Sequence, residues 1–501
     1  MLGRRGFLAL ALAAAAAPAR AVTQGAPVPF SAKWLQARAA ALARRPYRPA
    51  PLLPRAWRAL TYDQHRLYWF DSRKAVWTGT DRPARIDLLH PGLYFRRAVA
   101  VHLVEDGAAR PVAFDLSLFD RTDRAPDLPV DETVGYSGIR LRGELERPGI
   151  HQEYAVFQGA SYFRAIGREQ IYGLSAQGLA IDTAGPRGEE FPDFTAFWIE
   201  APAPGAPDVT VHALLDGPST SGAYTFVITS GPATVMQVSA VLYPRRDLDN
   251  AGLAPLTSMF LFDGTNRARF DDFRPQVHDS NGLLIHNGAG EVLWRPLANP
   301  RSLQVSSFVD DSPRGFGLMQ RERRLAAYAD FEALYHRRPA LWVEPGAGWG
   351  RGAVTLVEIP ADREVYDNIV AYWRPRGGLG AGAGHALHYR LTWSDTPGPA
   401  AAVAPVARTL IGGRAFGAGL IVAIDFAPHP ALAGDLSDVT IHLGSNGPEP
   451  SPGLIQRDPE SGGARLAFGL DPGAAPAVEL RAQLRRAGRP VSEVWLYRWT
   501  A

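Results

Sequence analysis

Short segments of alternating or continuous apolar residues, broken by Gly and Pro, make up most of this chain. Ala98 to Val104 and Pro111 to Leu116 flank Glu105-Asp106-Gly107, which predicts a hairpin. The same pattern returns at Asp208 to Leu215, Tyr224 to Thr229 and Thr234 to Tyr243. Many short strands without intervening helices predict antiparallel sheets packed face to face, an all-β fold. Two helices break the pattern: one capped by Ser31, running through Lys33, Leu35 and Leu42 to Arg44-Arg45-Pro46, and one near Glu322 to His336. Past Trp393 the pattern gives way to SDTPGPAAAVAP, a connector over 394–404 that predicts a domain boundary. Strands at Gly419 to Phe426, Asp438 to Gly444, Ala477 to Leu484 and Val491 to Trp499 then predict an immunoglobulin-like sandwich over 405–501.

Composition narrows what these sheets serve. The 501 residues can bury a large core in more than one domain. Residues 1–21 read as an export signal: Arg4-Arg5-Gly6-Phe7-Leu8, an apolar run from Ala9 to Ala17 too short to span a bilayer, and Ala19-Arg20-Ala21 for cleavage. The arginine pair predicts twin-arginine export to the periplasm, the same compartment an ordinary secretory signal would reach. The formal charge of +3 falls to 3 − 3 = 0 once Arg4, Arg5 and Arg20 are removed, which argues against a nucleic-acid partner. With no cysteine, disulfides and thiolate chemistry are excluded.

Chemistry concentrates in two places. Asp271 to Leu284, DDFRPQVHDSNGLL, offers Arg274, His278 and Asp279 ahead of Asn281-Gly282, a pair that predicts a turn with positive φ. EVYDNIVAYW supplies Glu364 and Asp367 in an apolar setting, and two separated carboxylates suit acid/base work on a glycosidic bond. Trp198, Trp294, Trp342, Trp349 and Trp373 stand near charged residues or prolines; at least half should be core, and the others, with Trp294, Trp342 and Trp349 the candidates, would offer flat faces to a sugar ring. GGLGAGAG (Gly377 to Gly384) lacks the features of a phosphate loop, GLSAQG misses a nucleophile elbow by one residue, and no metal or cofactor is expected.

GASYFRAIG, YGLSAQGLAIDTA, GEEFPDFTAFWIE, ALLDGPSTSGAYTF, WRPLANP, RGFGLMQRER, WVEPGAGWGRGAV and YDNIVAYWRP, with the DDFRPQVHDSNGLL run, resemble the periplasmic osmoregulated-glucan biosynthesis proteins G and D. The resemblance spans the mature chain, and the twin-arginine signal looks more like the D branch. It implies a galactose-mutarotase-like β-sandwich over 22–393, an immunoglobulin-like domain behind it, and a role in making or trimming β-1,2-glucan. It also implies Asp367 as general acid, Asp279 as general base and Tyr335 as a hydroxyl relaying the proton between water and that base. Arg274, His278 and Glu364 then become substrate contacts. The chain departs from the family pattern at Gln276, Asn281 and Gln177. Three functions remain: an inverting endo-β-1,2-glucanase, a transglycosylase that cyclises or branches the same polymer, and a non-catalytic scaffold guiding glucan from a membrane synthase.

Overall fold

The computed structural model describes residues 22–186 and 188–501; the expected export signal, 1–21, lies outside the described residues. A sixteen-stranded and a ten-stranded sheet enclose the main core. Ile86, Ile139, Phe157 and Phe163 of the smaller sheet interleave with Phe197, Val211, Phe226 and Val238 of the larger. Each such side chain withdrawn from water contributes roughly 1.5–3 kcal/mol. The expected hairpin pairs Ala100–Glu105 with Ala108–Pro111, and Asp106 and Gly107 take φ of 50° and 71°. Both left-handed positions match the twist of the flanking strands.

Helix Ala32–Ala43 starts where Ser31 Oγ accepts the Trp34 amide at 3.1 Å. Its buried Leu35 and Ala39 pack on Phe30, Trp198 and Leu214. The expected helix at Glu322 to His336 does not form. Only Leu325–Tyr328 makes a helical turn, followed by Ala329 and Leu334 at φ of 53° and 46° and a 3₁₀ turn at Tyr335–Arg337. The reason is local: the Asp330 carboxylate accepts the Glu332 and Ala333 amides at 2.9 and 2.7 Å, an alternative to helical bonding that short acidic side chains offer.

The segment after residue 404 builds a second sandwich. One leaf is a four-stranded sheet of Val406–Gly413, Leu420–Phe426, Ala464–Leu470 and Leu454–Arg457. The other is the far end of the sixteen-stranded sheet, because Val494–Thr500 runs parallel to Val292–Pro296, with Leu293 opposite Val494 and Trp294 opposite Trp495. Strands at this junction are therefore buried on both faces. Leu283, Ile285, Leu318 and Leu341 face the main core, whereas Leu284, Trp294, Met319 and Trp342 face the C-terminal one. That two-sided burial explains runs such as GLLI and GFGLM, which are apolar throughout rather than alternating.

Gly282 opens one of these strands, and neither it nor Asn281 has a positive φ. The expected turn is therefore absent. Glycine is needed for close approach instead, since a Cβ at this position would overlap the Trp294 indole.

Candidate active site

The two acidic segments meet because a third strand holds both. Phe260–Phe262 pairs with Val277–His278, and the Asp279 amide donates to Met259 O at 2.8 Å. On its other side, Phe260 is clasped by Asn368: its amide donates to Asn368 Oδ1 at 2.8 Å and its carbonyl accepts from Asn368 Nδ2 at 3.0 Å. Asp279 and Asp367 are thus each one residue from a group fixed to Phe260. Gln320 ties in the broken-helix segment, its Nε2 donating to His278 O at 2.8 Å and Tyr335 O at 3.3 Å.

Asp279 is only 4% exposed and pairs with the Arg338 guanidinium. Burial raises its carboxyl to about 6; Arg338 and Arg164 oppose the rise, and the Asp367 charge adds to it. Asp367, more open to solvent, lies 3.7 Å from Arg164 Nη2. Its carboxyl is also raised by desolvation, against Arg164 and then Arg338. One pair of guanidiniums therefore acts on both carboxyls. Arg164 is braced by Ser175 Oγ at 2.6 Å, and Arg338 lies 4.5 Å from the centre of the Tyr335 ring.

Tyr335 is buried, and its hydroxyl donates to Glu364 Oε2 at 3.0 Å rather than to Asp279. Desolvation and then Glu364 raise its pKa. Glu364 in turn meets Arg274 Nη1 at 2.8 Å, and Arg274 is clamped by Asp330 at 2.7 Å and Asp272 at 2.8 Å. A continuous chain of polar groups runs from Asp279 through Arg338, Tyr335, Glu364 and Arg274.

Asp279, Asp367, Tyr335, Glu364 and Arg274 are thus brought together, while four other candidates are not. His278 is fully buried, stacked on Phe260 at 5.6 Å and edge-on to Tyr328 at 5.2 Å. Burial pushes its imidazole down to about 3, so it is a neutral core side chain beneath the site. Trp294 and Trp342 sit in the C-terminal core, and Trp349 is in the main one. Trp198 and Trp373 are buried as well, so each of the five tryptophans has its faces engaged by protein. The exposed rings near the network are Phe273, Phe331 and Tyr366, at 83%, 81% and 53%, each adjacent in sequence to Arg274, Asp330 or Asp367.

Sequence reasoning did not single out Arg164, Arg338, Asp330 or Asn368. Arg164 and Asn368 lie in quoted motifs, where an arginine or amide beside apolar strand residues was the available signal; Asp330 and Arg338 sit within and just after the broken-helix segment and offered no such signal. Asn281 spends its side chain on the Arg321 amide at 3.0 Å, and Gln177 is buried opposite Tyr162. Among the described residues no three His, Asp or Glu side chains converge as metal ligands.

The fold and this cluster define an all-β protein with a carboxylate–guanidinium site linked to both acidic segments. The chain belongs to the family described as periplasmic glucan biosynthesis protein, MdoG, whose model matches residues 30–499. It is 44% identical over 494 residues to glucans biosynthesis protein G of Rhodopseudomonas palustris (strain BisA53), covering 98% of each chain. Against the protein of that name in Bradyrhizobium diazoefficiens it is 44% identical over 497 residues, 99% of this chain and 98% of the relative. For Vibrio cholerae serotype O1 (strain ATCC 39541) the figures are 46% over 464 residues, 92% and 85%.

Proposed function

We propose that this protein acts in the periplasm on β-1,2-glucan as an inverting endo-glucanase. The observation that carries the reading is the shared setting of Asp279 and Asp367: Asp279 paired with Arg338, Asp367 3.7 Å from Arg164, and burial raising both carboxyls against the same two arginines. In the proposed reaction Asp367, the more open of the two, keeps its proton and gives it to the glycosidic oxygen. Water adds to the anomeric carbon from the opposite face as that bond breaks, and the water's proton passes to Asp279. Tyr335 is the relay between them. Its oxygen accepts from water while its own proton, now directed at Glu364, turns towards Asp279. Glu364 holds that hydroxyl, Arg274 fixes Glu364, and both contact the sugar.

The burial of Asp279 under Arg338 also supports a second reading, in which a sugar hydroxyl replaces water and the glucan is cyclised or branched. Incubation of the mature protein with linear β-1,2-glucan tests both. Shorter linear chains released first as the α-anomer support the hydrolase, and cyclic or branched products support the transferase. An unchanged polymer that nevertheless binds would leave a scaffold working with a membrane synthase. The reading places cleavage of the export signal after Ala21, which N-terminal sequencing of the periplasmic protein checks.

A further inference from the structure

A cavity of about 270 Å³, separate from the carboxylate cluster, is lined by Tyr47, Tyr94, Arg97, Gln158, Asp193 and Asp216 among others. Asp193 and Asp216 lie directly opposite each other on neighbouring strands, a like-charge pair that costs stability unless something compensates it. Asp216 is compensated by Arg245 at 2.7 Å. The Asp193 carboxylate makes no hydrogen bond or ion pair with the described residues; burial raises it most, Arg97 opposes that rise, and Asp216 adds a smaller push upward. Its acceptor oxygens face the cavity's other polar groups uncommitted.

Tyr94 is 78% exposed, yet its backbone is fixed. Gly92 and Phe95 exchange both backbone hydrogen bonds at 2.9 and 3.0 Å, and Leu93 is held at φ 55° with its amide on Trp57 O at 3.1 Å. A left-handed leucine is unfavourable, and such strain persists where the surroundings over-determine it. Here it presents one aromatic ring to solvent at the mouth of the cavity. The Asp193 carboxylate and Arg97 both line the cavity and act on each other electrostatically, so neither a free anion nor a free cation meets a uniform field. A neutral polyol uses both groups, donating to Asp193 and accepting from Arg97, while its C–H face covers the Tyr94 ring.

Two routes join the cavity to the carboxylates. Ala160 at its wall leads through a turn to Tyr162, whose hydroxyl feels the Asp367 charge. Phe191, 6.4 Å from the Tyr162 ring, lies two residues before Asp193. The span from Tyr162 to Arg164 is on the order of 7 Å of strand.

We infer that this cavity is a distal sugar-binding subsite for the glucan chain engaged at Asp279 and Asp367, an inference that rests on the proposed function. In the Asp367→Asn background, calorimetry with long linear β-1,2-glucan compares Tyr94→Ala and Asp193→Asn with their parent. Each should weaken binding by about tenfold, the scale of losing a well-placed anchor, with the melting temperature of Tyr94→Ala unchanged. Affinities within twofold of a parent that binds would overturn the subsite alone. A parent that does not bind glucan would overturn the proposed function and the subsite with it.

Discussion

At the scale of single residues, the site's behaviour is set by two carboxyls, Asp279 and Asp367, and the two guanidiniums, Arg164 and Arg338, that act on both. Asp367→Asn keeps the shape but cannot donate a proton, so turnover should be abolished while glucan binding persists, as rate and calorimetric measurements on one preparation would show. Tyr335→Phe removes only a hydroxyl; a large fall in kcat with unchanged affinity is expected, and near-normal activity would remove the tyrosine from the relay. The proposed base must be ionised to work, so the acidic limb of the rate profile should lie near Asp279's value of about 6. Because Arg338 holds that value down, Arg338→Ala should move the limb to higher pH. The same carboxyl has a consequence for stability. Its folded value stands above its unfolded one, so the stabilisation it contributes is present below about pH 4 and is lost as pH rises through about 6.

At the scale of elements, strands were legible and their surroundings less so. The hairpin at Glu105-Asp106-Gly107 and the Ser31-capped helix depend on neighbours within a few positions, and both formed as read. The segment 322–336 carries Leu325, Tyr328 and Tyr335 at helix-like intervals, but its hydrogen bonding is decided by Asp330 and its outer contacts by Arg274. Arg164, Arg338 and Asn368 escaped for a related reason: their partners Asp367, Asp279 and Phe260 lie 203, 59 and 108 positions away (367 − 164, 338 − 279, 368 − 260), which spacing along the chain does not encode. Gly282 shows the same limit. It reads as a turn residue, yet what demands it is an indole on the neighbouring strand, 12 positions further on (294 − 282). Gly282→Ala should therefore cost about 1–3 kcal/mol by forcing the Trp294 ring out of place, visible as a lower melting temperature without any need for a changed turn.

At the scale of the whole molecule, the two sandwiches are held by a shared sheet and by one buried ion pair. Arg321 Nη2 meets Glu493 Oε1 at 2.7 Å while its guanidinium lies 3.6 Å from the centre of the Trp294 ring, and Glu493 Oε2 accepts the Val406 amide at 2.8 Å. Glu493→Ala leaves a largely buried guanidinium without its counter-ion, still donating to Val406 O, and the Val406 amide without this acceptor. A loss of about 3 kcal/mol is expected, with Glu493→Gln losing less because one oxygen remains to accept; denaturant unfolding of both variants measures it.

Trp294 lies beside Trp495 in parallel register, so one edge of the central sheet waits for a partner 201 positions further along the chain (495 − 294). At ~5–20 residues per second a ribosome needs about 10–40 s to supply it. Through that interval the Val292–Pro296 strand offers unpaired amides and carbonyls beside a bare indole, the kind of edge that recruits other chains. Nascent protein in the cytoplasm should therefore depend on a chaperone that covers this strand until synthesis has passed residue 500.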